Sequence, residues 1–447
     1  MSRAPCRRFP SRIPLFDIFR PPAPGRASDR IFPTGRCGFC APHLFFFARL
    51  AFSRRCDILR AGKFSRGGTI MKLLIVTAPL GNGHNAVADA VAEHLSLHYP
   101  DAECSILDMY EYISPSLKKA TASGYFLSMK TLSKFRGMAS GIMESQTERD
   151  FNEYSPARLA NEFLASELRH AIDDYAPDCI VCTMVFAAQV VDLLKARGAV
   201  TCPCFGIITD YTVQNYWCDV DNFEYIVSPS EWMEPQFVRR GIDPARVLPL
   251  GIPIHDRFRQ KHSAAEMREK LQLPDLPAVL VMSGGMGFGN IAEYVQAIDA
   301  APMELQIIVI CGSNEKLYEK IFSMQTKKPL TVYGFVKNVD EIMDACDCLI
   351  SKPGGITTCE SLAKTLPMLM IDPLPGVEDR NVEFLQANGA AIYITKTFQI
   401  EDALFLLFRC PGRLARIRES IRSIAKPDAA ADLCRMIVQT VALQEGE

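Results

Sequence analysis

No stretch of this 447-residue chain approaches the ~20 consecutive apolar residues that a helix needs to cross a bilayer. The Gly-rich turn at 284–289 lacks a Gly-Lys-Ser/Thr ending, so it is not a P-loop. The 16 cysteines are scattered along the chain, several of them inside predicted strands, and we interpret the pair Cys346 and Cys348 as structural rather than as half of a zinc set. We therefore expect any membrane contact to be peripheral, and the cysteines to be reduced and structural.

Residues 1–70 differ in charge from the rest of the chain. They hold fourteen Lys/Arg and three Asp, a net charge of +11 that leaves 35 basic and 48 acidic residues, or −13, for residues 71–447. An Arg-rich leader fits a transit peptide, but Arg66-Gly67-Gly68 also matches a translated ribosome-binding site just ahead of Met71. We favour translated upstream sequence, and expect disorder at 1–70 in either case. For the acidic remainder we expect no nucleic-acid partner.

A strand, a Gly turn and a helix follow one another late in the chain. The predicted elements are a strand at Cys348–Ser351, a helix from about Thr357 to Leu366, a strand at Pro367–Asp372 and a further helix after a Pro/Gly turn. In such a βαβ unit Gly354 and Gly355 let backbone amides approach a ligand, and the helix N-terminus favours an anion such as phosphate. Two plainer explanations stay open: a tight Gly turn, and a capping box in which Thr357 and Glu360 satisfy the first helical amides.

A second strand, Gly loop and helix begin at Met71. A buried strand is predicted at Lys72–Ala78 and a helix from about Asn85 to Leu97, with a Gly-containing loop between them. This loop also matches G-x-G-x-x-A, a weak indication of NAD, for which Asp101, Glu103 or Asp108 would be the ribose acid. His84 precedes the helix, where the positive dipole end favours a neutral, proton-accepting imidazole. A general base and an ordinary surface histidine both fit that position.

Apolar strands alternate with helices through both halves of the chain. The further predicted strands are Pro177–Thr183, Phe205–Asp210, Glu224–Ser228, Pro277–Met282, Leu305–Cys311 and Val332–Val336. Gly284 and Gly285 follow one of these strands in a loop that suits either a phosphate cradle or a flexible turn. Prolines on both sides of Gly251 predict an extended connector, so we place a domain boundary near His255. The fold class is α/β, with two Rossmann-like domains facing a central cleft.

Two motifs in the C-terminal half give this chain a family resemblance. S-K-P-G-G-x-T-x-x-E at 351–360 and P-x-P-G-x-E-x-x-N at 373–381 resemble inverting GT-B glycosyltransferases of the monogalactosyldiacylglycerol synthase and processive diacylglycerol glucosyltransferase type. The resemblance runs from Met71 to about Lys426. It implies an acceptor-binding, membrane-facing domain at 71–255, a UDP-sugar-binding domain at 256–426 and a final helix at 427–447.

The resemblance also implies a donor site in the C-terminal domain. Gly amides would hold the diphosphate, Glu360 the ribose, Phe335 the base, and Glu378 with Asn381 the sugar. Relatives often carry Gln where this chain has Val377, so the sugar is left open. We expect no metal ligand and no resident cofactor, since the UDP-sugar is a substrate. The full predicted donor set is Gly284, Gly285, Phe335, Ser351, Gly354, Gly355, Thr357, Glu360, Glu378 and Asn381.

On the acceptor side, the resemblance implies that His84 is the catalytic base, oriented by Asp210. Asp210 and Trp217 match the pattern T-D-x-x-x-x-x-x-W, although Gln214 and Asn215 stand where relatives commonly carry a histidine. Neither can act as a base, which leaves that role to His84. The predicted acceptor loop consists of Gly81, Asn82 and Gly83, together with Trp217.

These expectations describe an enzyme that transfers a hexose from a UDP-sugar to diacylglycerol, in the cytoplasm at the inner face of a bacterial-type membrane. Between Tyr112 and Arg158 basic residues alternate with large apolar ones, which suits a helix lying on anionic lipid or an ordinary helix packing inward. Three other functions stay open: N-acetylglucosamine transfer to a polyprenyl-linked acceptor, UDP-sugar epimerisation, and non-catalytic nucleotide-sugar sensing.

Overall fold

The computed structural model of the chain describes residues 71–78, 82–113, 156–282, 284, 290–376, 378–410 and 412–444. Four predicted features therefore lie wholly or mostly outside the described residues: the leader at 1–70, Gly81 with its loop, the loop at 285–289 that includes Gly285, and the basic, apolar segment after Tyr112.

A parallel six-stranded sheet forms the first half. Its strands lie in the order β2-β1-β3-β4-β5-β6, and the apolar residues of β1, β3 and β4 are all buried. The continuous apolar runs of β1 and β3 are typical of strands covered by helices on both faces. The elements are β1 Met71–Thr77, α1 Asn82–His98, β2 Ala102–Asp108, α2 Met109–Ile113, α3 Pro156–Tyr175, β3 Cys179–Cys182, α4 Val185–Ala196, β4 Cys204–Ile207, β5 Tyr225–Val227, α5 Glu234–Arg239 and β6 Val247–Leu248.

A second parallel six-stranded sheet forms the other half, in the order β12-β11-β10-β7-β8-β9. The elements are α6 Ala264–Lys270, β7 Ala278–Met282, α7 Ile291–Ala300, β8 Gln306–Ile310, α8 Glu315–Phe322, β9 Leu330–Tyr333, α9 Val339–Ala345, β10 Cys348–Ser351, α10 Gly355–Ala363, β11 Met368–Met370, α11 Glu378–Ala387, β12 Ala391–Tyr393, α12 Ile400–Arg409, α13 Arg413–Ile424 and α14 Ala429–Gln444. The predicted α/β class with two Rossmann-like sheets is confirmed.

Two predicted helix starts were wrong. The helix expected from Asn85 begins at Asn82, so His84 lies in its first turn. The helix expected from Thr357 begins at Gly355, because Gly354 occupies the cap position with extended backbone and makes no side-chain cap bond. Thr357 therefore lies inside the helix, which rules out the capping box.

The last described helix returns to the first half of the molecule. α14 contacts α1, and the Cys434 thiol lies 3.8 Å from the Val91 carbonyl. Just before α14, the chain passes close to Gly251 in the connector. Gly251 has a φ of +99°, and a Cβ on it would lie 2.4 Å from Lys426 Cβ. Only glycine suits this position, both for its backbone angle and for this approach.

Candidate functional site

The loop that follows β4 lies between α10 and α11 of the second half. The Tyr211 ring stacks on Phe384 with 4.4 Å between centroids, and its hydroxyl lies 3.2 Å from the Cys359 thiol. Immediately before it, the Thr209 carbonyl lies against the start of α10, where a Cβ on Gly355 would be 1.8 Å from the carbonyl oxygen. Gly355 is therefore required for the two halves to meet. The sequence analysis explained this glycine only by phosphate binding or a tight turn.

Asn381 connects this loop to the second half through three hydrogen bonds. Its Nδ2 donates to Asp210 Oδ1 at 3.0 Å and to the Pro353 carbonyl at 2.8 Å. Its Oδ1 accepts from the Tyr211 amide at 2.7 Å. The side chain is fully buried, and both of its amide hydrogens are bound by protein. Contact between Asn381 and a donor sugar stays a prediction.

We expect Asn381→Ala to destabilise the protein strongly. The substitution leaves Asp210, the Pro353 carbonyl and the Tyr211 amide without their partner, and each unsatisfied buried group costs about 1–3 kcal/mol. Thermal unfolding should show a clear fall in Tm, compared with Gln386→Ala at an exposed position of the same helix. Equal melting of the two variants would contradict a structural role for Asn381.

His84 lies at the start of α1, at the edge where the β1 and β3 strands end. Its Nδ1 is 2.7 Å from the Thr183 carbonyl, which only accepts, so Nδ1 carries the proton and the neutral ring has its lone pair on Nε2. Burial lowers the pKa of His84, against the opposing effects of the Thr183 carbonyl and the Asp210 charge. The imidazole is therefore kept neutral, with Nε2 able to take a proton.

The prediction that Asp210 orients His84 was wrong, because the hydrogen bond that orients the ring is made to another residue. The Thr183 carbonyl binds the ring, while Asp210 acts on it only through charge. The Thr183 hydroxyl donates to Thr77 at 2.9 Å, and Thr77 donates to Asn85 at 3.1 Å. This chain of bonds fixes β1, β3 and α1 relative to one another, and with them the ring of His84. Strand periodicity does not indicate a backbone carbonyl as a partner, so this contact could not be predicted from local sequence patterns.

Two helix N-termini, those of α1 and α10, meet beside this histidine. A Cβ on Gly83 would lie 3.5 Å from the Ile356 side chain. The start of each helix has unpaired first amides and a positive dipole end, which favour an anionic ligand nearby. The structure therefore brings His84 and Gly83 together with Asp210, Gly354 and Gly355 of the predicted site.

Two carboxyl groups with raised pKa values lie on α10 and α11, the helices on either side of the loop after β4. Burial raises the pKa of Glu360 to about 8; Arg257 opposes the shift and Asp340 adds to it. Burial also raises the pKa of Glu378. One oxygen of Glu378 accepts from the Leu374 amide at 2.6 Å, and the other faces Gly354, whose Cβ would be 3.5 Å away. Raised carboxyl pKa values in a cleft are typical of functional sites.

Unmatched hydrogen-bonding groups lie at both ends of the Gly turn. In the described part of the chain, three buried side-chain polar atoms have no partner, and two of them are Ser351 Oγ and Thr358 Oγ1. Buried polar groups are nearly always paired. The turn therefore has hydrogen-bonding capacity that the described residues leave unused.

The remaining predicted residues differ in their exposure to solvent. Phe335 follows β9 and is 70% exposed, so its ring is accessible. Trp217 is only 3% exposed, and its ring packs so closely on β4 that a Cβ on Gly206 would be 2.5 Å from it. The structure thus gives Trp217 a packing role. Gly284 is exposed, with a φ of +58°, and Thr357 is partly buried on α10.

Two family models match this chain. The monogalactosyldiacylglycerol (MGDG) synthase family matches residues 84–254, and the glycosyltransferase family 28 C-terminal domain matches residues 278–404. The first match begins at His84. The second contains both Gly-turn motifs.

Curated relatives include two processive diacylglycerol beta-glucosyltransferases. The protein from Bacillus cereus (strain AH187) is 28% identical over 365 residues, covering 80% of this chain and 91% of the relative. The protein from Bacillus subtilis (strain 168) is 27% identical over 361 residues, covering 80% and 92%.

Solved structures support the same fold. MurG from Acinetobacter baumannii aligns with a TM-score of 0.54 at 14% identity, over 83% of this chain and 99% of that one. The glycotransferase of kitacinnamycin aligns with a TM-score of 0.53 at 13% identity, over 83% and 99%. The two parallel sheets and the likeness to these structures identify the fold as GT-B.

Proposed function

Since this chain belongs to the family 28 type of GT-B glycosyltransferases that includes MGDG synthase, we propose that it transfers a hexose from a UDP-sugar to diacylglycerol. The observation that carries this proposal is His84, a neutral imidazole with Nε2 available beside two converging helix N-termini. Similarity to diacylglycerol glucosyltransferases over 80% of the chain supports the lipid acceptor.

In the proposed reaction, His84 Nε2 removes the proton of the diacylglycerol hydroxyl as its oxygen attacks the anomeric carbon. One displacement breaks the bond to the UDP oxygen and inverts the anomeric centre. Amides at the start of α10, near Gly354 and Gly355, would offset the charge that develops on the diphosphate. The UDP-sugar is a substrate, and the proposal needs neither a resident cofactor nor a metal.

The remaining sequence predictions complete the proposal. The domains are the acceptor domain at 71–255, the donor domain at 256–426 and the final helix at 427–447. We place the enzyme on the cytoplasmic face of the membrane, bound peripherally to anionic lipid through the basic, apolar segment after Tyr112. None of the helices in the described ranges is long and apolar enough to cross a bilayer.

The direct test is product analysis. Protein starting at Met71 is given diacylglycerol micelles with UDP-glucose, UDP-galactose or UDP-N-acetylglucosamine, and lipids are resolved by mass spectrometry. A hexosylated diacylglycerol is expected with one of the hexose donors. Failure with every donor, despite UDP binding, would overturn the acceptor and favour a polyprenyl-linked acceptor or a sensor; conversion of UDP-N-acetylglucosamine without lipid would indicate an epimerase.

Glu360 leads to a prediction about protons. Its raised pKa, about 8, keeps most of the carboxyl protonated at pH 7, whereas ribose hydroxyls donate best to the charged form. UDP binding should therefore release a proton near pH 7 and little above pH ~9. Calorimetric titration in two buffers of different ionisation enthalpy measures this release.

The matched variants are Glu360→Gln and Glu319→Gln, the latter at an exposed position on α8. Glu360→Gln should abolish the proton release and weaken UDP binding about 10–100-fold, the value of a charged hydrogen bond. Glu319→Gln should behave as the wild type. Unchanged proton release in Glu360→Gln would show that Glu360 does not contact the nucleotide.

A further inference from the structure

A cluster of two histidines and one carboxylate lies at the C-terminal end of α1, away from the site described above. His94 and His98, one helical turn apart, face Asp256 in the short helical turn that follows the connector. His94 Nδ1 is 2.9 Å from both Asp256 oxygens, and His98 Nε2 is 2.9 Å from Oδ2. Two imidazole nitrogens therefore converge on one carboxylate oxygen.

This arrangement has the chemistry of a transition-metal site. Imidazole nitrogen and carboxylate oxygen are ligands for Zn²⁺, whereas Mg²⁺ prefers oxygen alone. The three ligand atoms lie within 4.8 Å of one another, so a small expansion would admit a metal with bonds of ~2.0–2.2 Å. The His98 side chain is 50% exposed, which leaves room for a solvent ligand at a fourth position.

Neighbouring charges leave these ligand atoms accessible. Arg259 approaches Asp256 Oδ1 at 3.5 Å but binds Asp428 more closely, at 2.7 Å. Asp256 Oδ2, the oxygen shared by both histidines, therefore stays available. Glu93 is bound instead to His255. The negative dipole end of α1 adds a further favourable field for a cation.

We propose that His94, His98 and Asp256 form a binding site for a Zn²⁺-class cation that links α1 to the segment after the connector. His84 begins the helix whose other end carries this cluster, ten residues or about 15 Å from His94. The cation would therefore lie outside the reaction centre and fix the position of α1. The sequence search missed the site because it followed cysteine spacing and gave no weight to two histidines four residues apart.

The test uses full-length protein stripped with a chelator and titrated with Zn²⁺ by calorimetry, in the wild type, His98→Ala and His170→Ala. His170 is an exposed histidine on α3 and serves as the control. Wild type and His170→Ala should each bind one Zn²⁺ at this site, and Zn²⁺ should raise their Tm. Loss of an outer-shell partner already costs about 10–100-fold in affinity, so His98→Ala should lose at least that much.

Two results would overturn the proposal. Equal Zn²⁺ affinity in all three proteins would place binding elsewhere, for example on thiols, and absence of binding in the wild type would leave the cluster as a hydrogen-bonded triad. Mg²⁺ should not compete, because the site contains two nitrogen ligands. Since half-exposed His98 is removed without opening a core cavity, the metal-free Tm of His98→Ala should lie only slightly below that of His170→Ala, by the loss of the one hydrogen bond to Asp256.

Discussion

His84→Ala is expected to lower turnover by about 10²–10⁴-fold, the contribution of a positioned general base. UDP affinity should change little, because the His84 ring is held by the Thr183 carbonyl on the acceptor side. Steady-state kinetics with diacylglycerol and calorimetry with UDP measure the two quantities. His170→Ala, on α3, is the control. Weakened UDP binding in His84→Ala would instead place this side chain in the donor site.

The pH profile tests the same assignment independently. Burial lowers the pKa of His84 from its ordinary 6.5, and a base acts only when unprotonated. The acid limb of kcat/KM should therefore lie below pH 6.5, with activity lost as the pH falls through that lowered pKa. Asp210→Asn removes a charge that raises the pKa of His84, so it should move the limb to still lower pH. If the acid limb of kcat/KM moves to higher pH in Asp210→Asn, His84 is excluded as the titrating base.

Gly355→Ala is expected to disrupt the join between the two halves. Its Cβ would lie 1.8 Å from the Thr209 carbonyl oxygen, a backbone atom that can move away only with the whole loop. Overpacking of this kind costs about 1–3 kcal/mol, and a shift of ~1 Å near a reaction centre costs about 10²-fold in rate. Tm and turnover should both fall.

The adjacent glycine provides a matched control. Gly354 has a φ of −67°, and its Cβ would be 3.5 Å from the end of a flexible Glu378 side chain. Gly354→Ala should therefore cost only about 1 kcal/mol or less as a weaker helix cap. If Gly355→Ala melts as Gly354→Ala does, the close approach of Thr209 to α10 is incorrect.

Local sequence patterns predicted nine of the twelve strands that the structure describes, missing β2, β6 and β12, and predicted the site contacts poorly. β10 was predicted at Cys348–Ser351 and observed there, because a buried parallel strand is a continuous apolar run bounded by a Gly turn. Helix starts were less accurate, since a Gly cap such as Gly354 lacks a side-chain signal. Asn381 and Asp210 are separated by 171 positions in the sequence, and no local period encodes such a contact.

Trp217 is a second residue whose contacts local sequence did not predict. Its position in T-D-x-x-x-x-x-x-W led us to place it in an acceptor loop, whereas its ring packs on Gly206. A motif shows only which residue types occur together. In a single sequence, a residue used for packing cannot be told from one used for ligand contact. Only the short distance to the glycine of β4 distinguishes them.

The return of α14 to α1 has a consequence for synthesis on the ribosome. Leu433, Cys434 and Ile437 of α14 are buried, and α1 contacts that helix. As the chain emerges from its N-terminus, α1 appears more than three hundred residues before its partner. The first sheet can assemble early, but α1 keeps an uncovered apolar flank until α14 has been synthesised. Chaperone occupancy on stalled nascent chains should thus persist until α14 is released.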